Sequence, residues 1–314
     1  MTSAEVSAQS QADPIEDVAV ISTGTVMIRP EHVGPTNKNL YYWLFTSRRW
    51  TTPKPINAYV IKHREGVVLF DTGQDRASVT DPDYFPRGLT GLVYSRLAKF
   101  EIGPTDTLVA GLRGLGVEPS DVHTAALSHL HQDHIGALPY LGSGPRVAIA
   151  RDEWESLGAP LPAARGLMRN HIDLPGLRWQ RFDPEPLGDP FLDPFTHGHD
   201  VFQDGSIVLL PTPGHTPGSI SMLVRRPHHA PLLMVGDLTY DDDLLRAGSL
   251  PGVGDKQVMR KSASRVNRLR AALPGLAVLP AHDPGAADRL RRAMEGVPSR
   301  TPAAAPTAQP GAAS

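Results

Sequence analysis

The sequence predicts an α/β class, on three observations: short β-branched runs recur along the chain, helical patterns fall among them, and 40% hydrophobic residues over 314 positions suffice for one large domain. In order, VAVIS (18–22), NAYVIK (57–62) and VVLFD (67–71) are short and rich in Val, Ile, Tyr or Phe, as strands are. Residues 74–104 carry Pro82, Pro86 and Pro104 and several glycines around Tyr84, Phe85, Leu89, Leu92 and Tyr94, and read as a mobile apolar flap more than a core element. A helical pattern over 105–115 precedes the strand TAALS (124–128), and a second over 151–157 follows the strand VAIA (147–150). The runs SIVLLP (206–211), SISMLV (219–224), LLMVG (232–236) and AVLP (277–280) are four further strands. Between the last two, MRKSASRVNRLRAAL (259–273) repeats its apolar residues at three and four, the helical spacing. The domain is expected to span 18–297, with a Ser/Ala/Gln/Asp-rich tail at 1–17 and a Pro/Ala-rich tail at 298–314 whose composition buries too little surface to order itself.

Bulk properties exclude several functions. A formal charge of −2 and a pI near 6.7 give no general pull toward nucleic acid or an anionic membrane. No apolar stretch is long enough to span a bilayer and the N-terminus lacks a secretory pattern, so a cytoplasmic protein is expected. With no cysteine, disulfides and thiolates are out, and any metal must be held by imidazole and carboxylate.

The chemistry concentrates in SHLHQDHIG (128–136), where His129, His131, Asp133 and His134 fall within six positions directly after an expected buried strand. A His-x-His pair offers two imidazoles to one cation, and the adjacent Asp133 and His134 can serve a second a few ångströms away. Three later strand ends each add one good ligand: His215 in PTPGHTPGS, Asp237 in LLMVGDLTY and His282 in AVLPAHD. Alone, each is more often a turn or capping residue; in this order, with the first cluster, they form a set.

This series, HxHxDH, then GHTPG, then a strand-terminal Asp and a late strand-terminal His, resembles the metallo-β-lactamase superfamily over about residues 18 to 295, and LFDTG (69–73) is similar to its early turn whose Asp buttresses the metal loop. The resemblance implies a four-layer αβ/βα sandwich holding two divalent metal ions. His129, His131 and His215 would bind one; Asp133, His134 and His282 the second; Asp237 would bridge them. His131 stands where an iron-binding branch uses Glu, which favours zinc.

Within the superfamily, Asp237-Leu-Thr-Tyr240 is similar to the N-acyl-homoserine lactonases, where a tyrosine three residues after the bridging aspartate points its hydroxyl into the site, whereas organophosphate hydrolases of the fold often carry His there. Gly24-Thr-Val-Met27 resembles a lactonase segment whose methionine lines the acyl pocket, and Ala-His282-Asp283 resembles their terminal Gly-His-Asp. The implied activity is quorum-quenching hydrolysis of a small-molecule lactone with an acyl chain. A metal-bridged hydroxide attacks the carbonyl, Tyr240 helps hold the oxyanion, and Asp133 shuttles a proton to the leaving alkoxide. Met27, Phe85, Trp43 and Trp50 are the residues expected to shelter the chain. Another dinuclear hydrolase, acting on phosphotriesters, phosphodiesters or aryl esters, and a non-catalytic zinc scaffold are the alternatives. Homodimers are common for such folds, so a homodimer stays an open expectation. His197 and His199, in a polar loop, and His32, His63, His123, His171, His228 and His229 read as structural; residues 160–203 match nothing in the family pattern.

Overall fold

The structure, a computed structural model, describes residues 13–295. Thirteen strands form two sheets: β1 (Ile15–Ile28), β2 (Lys54–His63), β3 (Gly66–Phe70), β4 (Ala98–Glu101), β5 (Val122–Ala126), β6 (Arg146–Ala150), β7 (Arg178–Phe182), β8 (Glu185–Pro186), β9 (His197–Asp200), β10 (Ile207–Pro211), β11 (Ile220–Val224), β12 (Leu232–Met234) and β13 (Ala277–Leu279). The first sheet runs β4-β1-β2-β3-β5-β6-β7 and the second β13-β12-β11-β10-β9-β8.

Two-residue periodicity decides the layering. Tyr59, Ile61, Val68 and Phe70 meet Ile207, Leu209, Met222 and Met234 in a core between the sheets. Their neighbours Ala58, Val60, Val67 and Leu69 point the opposite way, against the helix Leu108–Gly114 and the segments beside it. On the second sheet Val208, Leu210, Leu233 and Val278 likewise face outward, under the helix Lys256–Ala272. Both sheets are therefore buried on both faces, which is why their strands read as continuous apolar runs. The result is a helix–sheet–sheet–helix sandwich of four layers.

All nine strands expected from the sequence are present; β4, β7, β8 and β9 are additional. β1 begins at Ile15, three residues before Val18, and this first residue pairs with His63. Residues 1–12 of the expected N-terminal tail and all of the C-terminal tail, 298–314, lie outside the described residues. The helix Lys256–Ala272 starts three residues early because Asp255 caps it, accepting Gln257 N–H and Val258 N–H. Residues 74–104 are not a loose flap: they form the helix Gly88–Leu97 and the edge strand β4 on β1, and Tyr84 and Tyr94 bury against Met168. Residues 197–200, expected as loop, are strand β9, where the His199 ring stacks on Phe182 at 4.7 Å. Among the described residues no helix is long and apolar enough to cross a membrane.

Candidate metal centre

The first ligand loop leaves β5 and enters a single helical turn, Gln132–Ile135. Asp71, the first residue after β3, holds it. Buried at φ 63°, Asp71 accepts Ser128 N–H through Oδ1 at 2.6 Å, and through Oδ2 accepts Ser128 Oγ–H and His134 Nδ1–H, both at 2.8 Å. The loop closes on the same turn through Thr72 N–H to His134 O and Gly136 N–H to Gly73 O, each 2.7 Å. Gly136 is required by that approach: a Cβ there would lie 2.2 Å from Asp75 N. Gly236 is required twice over, by its φ of +51° and by Ser128, whose Cβ is 2.7 Å from where its own would be.

The remaining ligands come from loops after β10, β12 and β13. The structure brings all seven expected metal-site residues, His129, His131, Asp133, His134, His215, Asp237 and His282, to one place, in overlapping triads. These are His129–His131–His215, His129–His134–Asp237 and Asp133–His134–His282, each with its ligand atoms within 4.8 Å of one another. His131 Nδ1 lies 3.0 Å from His129 Nε2 and 3.1 Å from His215 Nε2. Asp237 straddles the groups: Oδ1 is 3.4 Å from His134 Nε2 and 3.3 Å from His282 Nε2, and Oδ2 is 3.6 Å from His215 Nε2. Two ligands held tetrahedrally at about 2.1 Å from a cation would be about 3.4 Å apart.

The outer nitrogens settle what the inner ones present. His134 Nδ1 faces a carboxylate, His282 Nδ1 faces Pro55 O at 2.9 Å, and His131 Nε2 faces Arg165 O at 3.1 Å. Those oxygens only accept, so each of these nitrogens carries the ring proton. Ser128 Oγ gives its own proton to Asp71 and so accepts that of His129 Nδ1 at 2.9 Å. Four imidazoles thus keep the outer proton and, in their neutral form, turn a lone pair inward, the arrangement in which outer partners orient metal-binding histidines. Among the buried polar atoms, His134 Nε2 and Asp237 Oδ1 have no hydrogen-bond partner. A lone pair facing a carboxylate oxygen is repulsive unless a cation lies between them, so the donor set, all nitrogen and oxygen, fits divalent metal.

Charge balance points the same way. Burial opposes charge on His134, yet Asp71, Asp237 and Asp133 outweigh it and hold its pKa well above the ordinary value. Burial also opposes charge on Asp237, but His282 and His134 keep it ionised well below the usual range. His215 is pushed down to about 3, chiefly by burial. The site is anionic and selects positive charge.

A family model described as the metallo-beta-lactamase superfamily matches residues 51–282. The chain belongs to the metallo-beta-lactamase superfamily. Two relatives within it are N-acyl homoserine lactonases named AttM. The one from Azorhizobium caulinodans is 30% identical over 240 residues, covering 76% of this chain and 86% of its own. The one from Rhizobium radiobacter is 32% identical over 242 residues, covering 77% and 86%. The fold is also that of a solved N-acyl homoserine lactone hydrolase with N-hexanoyl-L-homoserine at its catalytic metal center, at TM-score 0.67 and 21% identity over 86% of this chain and 94% of that one. A dizinc quorum-quenching lactonase, AidC, aligns at TM-score 0.55 and 16% identity over 88% and 92%.

In this chain a cavity of about 340 Å³ opens over the centre, with His131, Asp133, His215, Asp237, Tyr240 and His282 along its polar side. Its apolar wall is Val26, Ile28, Leu44, Val93, Leu97 and Phe100. The residues expected to shelter an acyl chain are elsewhere. Met27 lies between Val26 and Ile28 on β1 and so points to the other face. Trp43 is fully buried outside the lining, Trp50 is covered by Arg29 at 3.7 Å and Lys99 at 4.6 Å, and Phe85 packs against Tyr84 and Tyr94. His32, expected to be structural, lines the cavity and bonds Tyr240 Oη through Nε2 at 2.9 Å. Two supports left no trace in any motif. Arg165, from the unmatched segment 160–203, supplies the carbonyl that orients His131, and the buried Glu153 accepts Leu130 N–H at 3.0 Å and Gly218 N–H at 3.1 Å, joining two ligand loops.

Proposed function

We propose that the protein is a metal-dependent hydrolase of N-acyl-homoserine lactones, with a quorum-quenching activity. One observation carries this reading: an apolar cavity of acyl-chain dimensions opens directly onto converging imidazole lone pairs and carboxylates. Identity of about 30% to lactonases over three quarters of the chain supports it. Two divalent ions, zinc favoured, would be held by His129, His131 and His215 and by Asp133, His134 and His282, with Asp237 within reach of both sets. When bound, such ions would lower the pKa of a water at the site and polarise the carbonyl under attack.

The chain's own groups supply the rest. Tyr240 Oη donates to Asp237 Oδ2 at 2.7 Å at the cavity edge, and burial together with Asp237 holds its pKa well above the ordinary value, so it acts as a neutral donor. With a lactone in place the proton turns to the carbonyl oxygen as negative charge develops there. Asp133, kept ionised by His134 and His282 against its burial, accepts a proton from the attacking water and returns it to the ring oxygen as the C–O bond breaks. The wall from Val26 to Phe100 takes the acyl chain at about 0.8 kcal/mol per buried methylene.

Metal analysis of the purified protein, followed by pH-stat assays on N-hexanoyl-homoserine lactone, a phosphotriester and an aryl ester with and without chelator, tests the reading. Chelator-sensitive lactone opening that exceeds the other two activities is expected. Metal-free protein, or turnover indifferent to chelator, overturns it, and a preferred phosphotriester replaces it with the organophosphate reading.

A further inference from the structure

His32 sits on the short helix Pro30–Val33, clamped by its own backbone: its N–H bonds Arg29 O at 2.9 Å and its carbonyl accepts Gly252 N–H at 2.8 Å. Its ring is buried against Tyr240, edge on at 5.3 Å between centroids, and lies 6.0 Å from Trp43. The proton inventory of the chain His32–Tyr240–Asp237 has one consistent solution. Asp237 Oδ2, 2.7 Å from the phenol oxygen, can only accept, so Tyr240 spends its single proton there. The phenol oxygen therefore accepts from His32 Nε2–H. The opposite tautomer would set two lone pairs against each other and leave an N–H at Nδ1, a buried atom with no partner among the described residues. As mere packing this is costly, since an apolar side chain would fill the space without burying a bare nitrogen.

We propose that His32 is a positioning residue for lactone hydrolysis. Its Nε2–H holds the Tyr240 oxygen at the cavity edge and, by hydrogen bonding to that oxygen, makes the phenol proton a stronger donor to the developing oxyanion. Hydrogen bonds received and given by one hydroxyl reinforce each other in this way. The neutral ring this requires agrees with burial, which pushes His32 down to about 4. The inference rests on the lactonase reading and adds to it a residue that never meets metal or substrate carbonyl.

The test is a double-mutant cycle on the metal-loaded full-length protein, with N-hexanoyl-homoserine lactone as probe. His32→Phe is expected to lower kcat by about five- to tenfold with KM changed less than about twofold. His32→Gln, whose amide N–H can donate in place of Nε2–H, should recover most of the loss. In a Tyr240→Phe background, His32→Phe should change kcat by less than about twofold, because the group it serves is gone. Independently of turnover, nitrogen NMR of isotope-labelled histidine should show His32 protonated at Nε2 and bare at Nδ1, with the Nε2–H signal moved by Tyr240→Phe. Multiplicative losses in the cycle, a His32→Gln enzyme as impaired as His32→Phe, or a proton found on Nδ1 each overturn the inference. A wild-type protein that opens no lactone removes the reading beneath it; an active wild type whose turnover is indifferent to His32→Phe removes the inference alone.

Discussion

Asp71→Asn isolates the outer support of the metal loop with almost no change of shape. Asp71 receives three hydrogen bonds, from Ser128 N–H, Ser128 Oγ–H and His134 Nδ1–H. Asparagine keeps the first through its oxygen but turns an NH₂ toward the other two. The serine hydroxyl can reverse. The neutral, metal-ready imidazole cannot, because its single proton is on Nδ1; facing an amide N–H it keeps its proton on Nε2 instead, the atom 3.4 Å from Asp237 Oδ1. The bond to Asp237 preserves part of the stability, while one inward lone pair disappears. Outer-partner substitutions cost metal affinity about 10- to 100-fold, or roughly 1.4 to 2.8 kcal/mol. The φ of 63° at this position does not confuse the result, since Asn tolerates the left-handed region well. The variant should therefore fold with apo stability lowered by no more than about 3 kcal/mol, yet lose one to two decades of zinc affinity in a competitive chelator titration. Wild-type affinity in Asp71→Asn would refute the assignment of the His134 tautomer and of its inward lone pair.

Glu153→Ala leaves Leu130 N–H and Gly218 N–H buried without acceptors, at about 1–3 kcal/mol each; urea denaturation should show a loss of about 2–5 kcal/mol, and under 1 kcal/mol would sink the bracing role. Metal affinity should fall as pH drops through the range above the ordinary histidine value of 6.5, because the raised pKa of His134 lets protons compete for its Nε2 while the metal needs that nitrogen bare; isothermal titration at stepped pH checks the sign, and a flat profile contradicts it. Leu97→Trp narrows the apolar wall: if a decanoyl chain loses burial of two methylenes, about 1.6 kcal/mol, its kcat/KM falls roughly 15-fold relative to a butanoyl substrate. Equal losses for both chains would place the acyl group outside this cavity.

The fold class and the convergence of the seven candidate ligands were legible because both rest on local rules. A buried strand needs a run of apolar residues, and Asp133, His215, Asp237 and His282 each sit just past one. The strands missed were those whose burial is partial: β7 (RWQRF) fully buries only Phe182, and β9 (HGHD) carries no apolar side chain at all. The flap misled because its prolines and glycines mask the helix Gly88–Leu97, whose buried Tyr94 finds Met168 more than seventy residues away. His32 was illegible for the same reason. Its meaning lies in a contact with Tyr240 across 208 positions, and nothing in PEHV distinguishes it from a surface histidine. Met27 shows the opposite failure, a one-residue error of face: on a strand, Val26 and Ile28 inherit the pocket and Met27 turns away.

The proposed ligands divide between the sheets, and this division sets what the rest of the molecule must do. His129, His131, Asp133 and His134 follow β5 in the first sheet; His215, Asp237 and His282 follow strands of the second. Neither sheet carries a complete set, so ligand geometry depends on how the sheets dock. The apolar core between them supplies attraction but little direction, whereas a catalytic constellation tolerates errors of only about 0.5 Å. Register must come from directional contacts, and these gather at the edge that holds the site. Ile220 N–H bonds Ser128 O at 3.0 Å, Asn57 N–H bonds Ala281 O at 3.0 Å, Tyr59 Oη bonds Pro280 O at 3.1 Å, and His282 Nδ1–H bonds Pro55 O. Glu153 adds its two bonds across the same seam. The buried polar groups beside the metal loops are thus the part of the core that cannot be exchanged for hydrocarbon: an apolar replacement could keep the sheets together and still leave the seven ligands unable to share a cation.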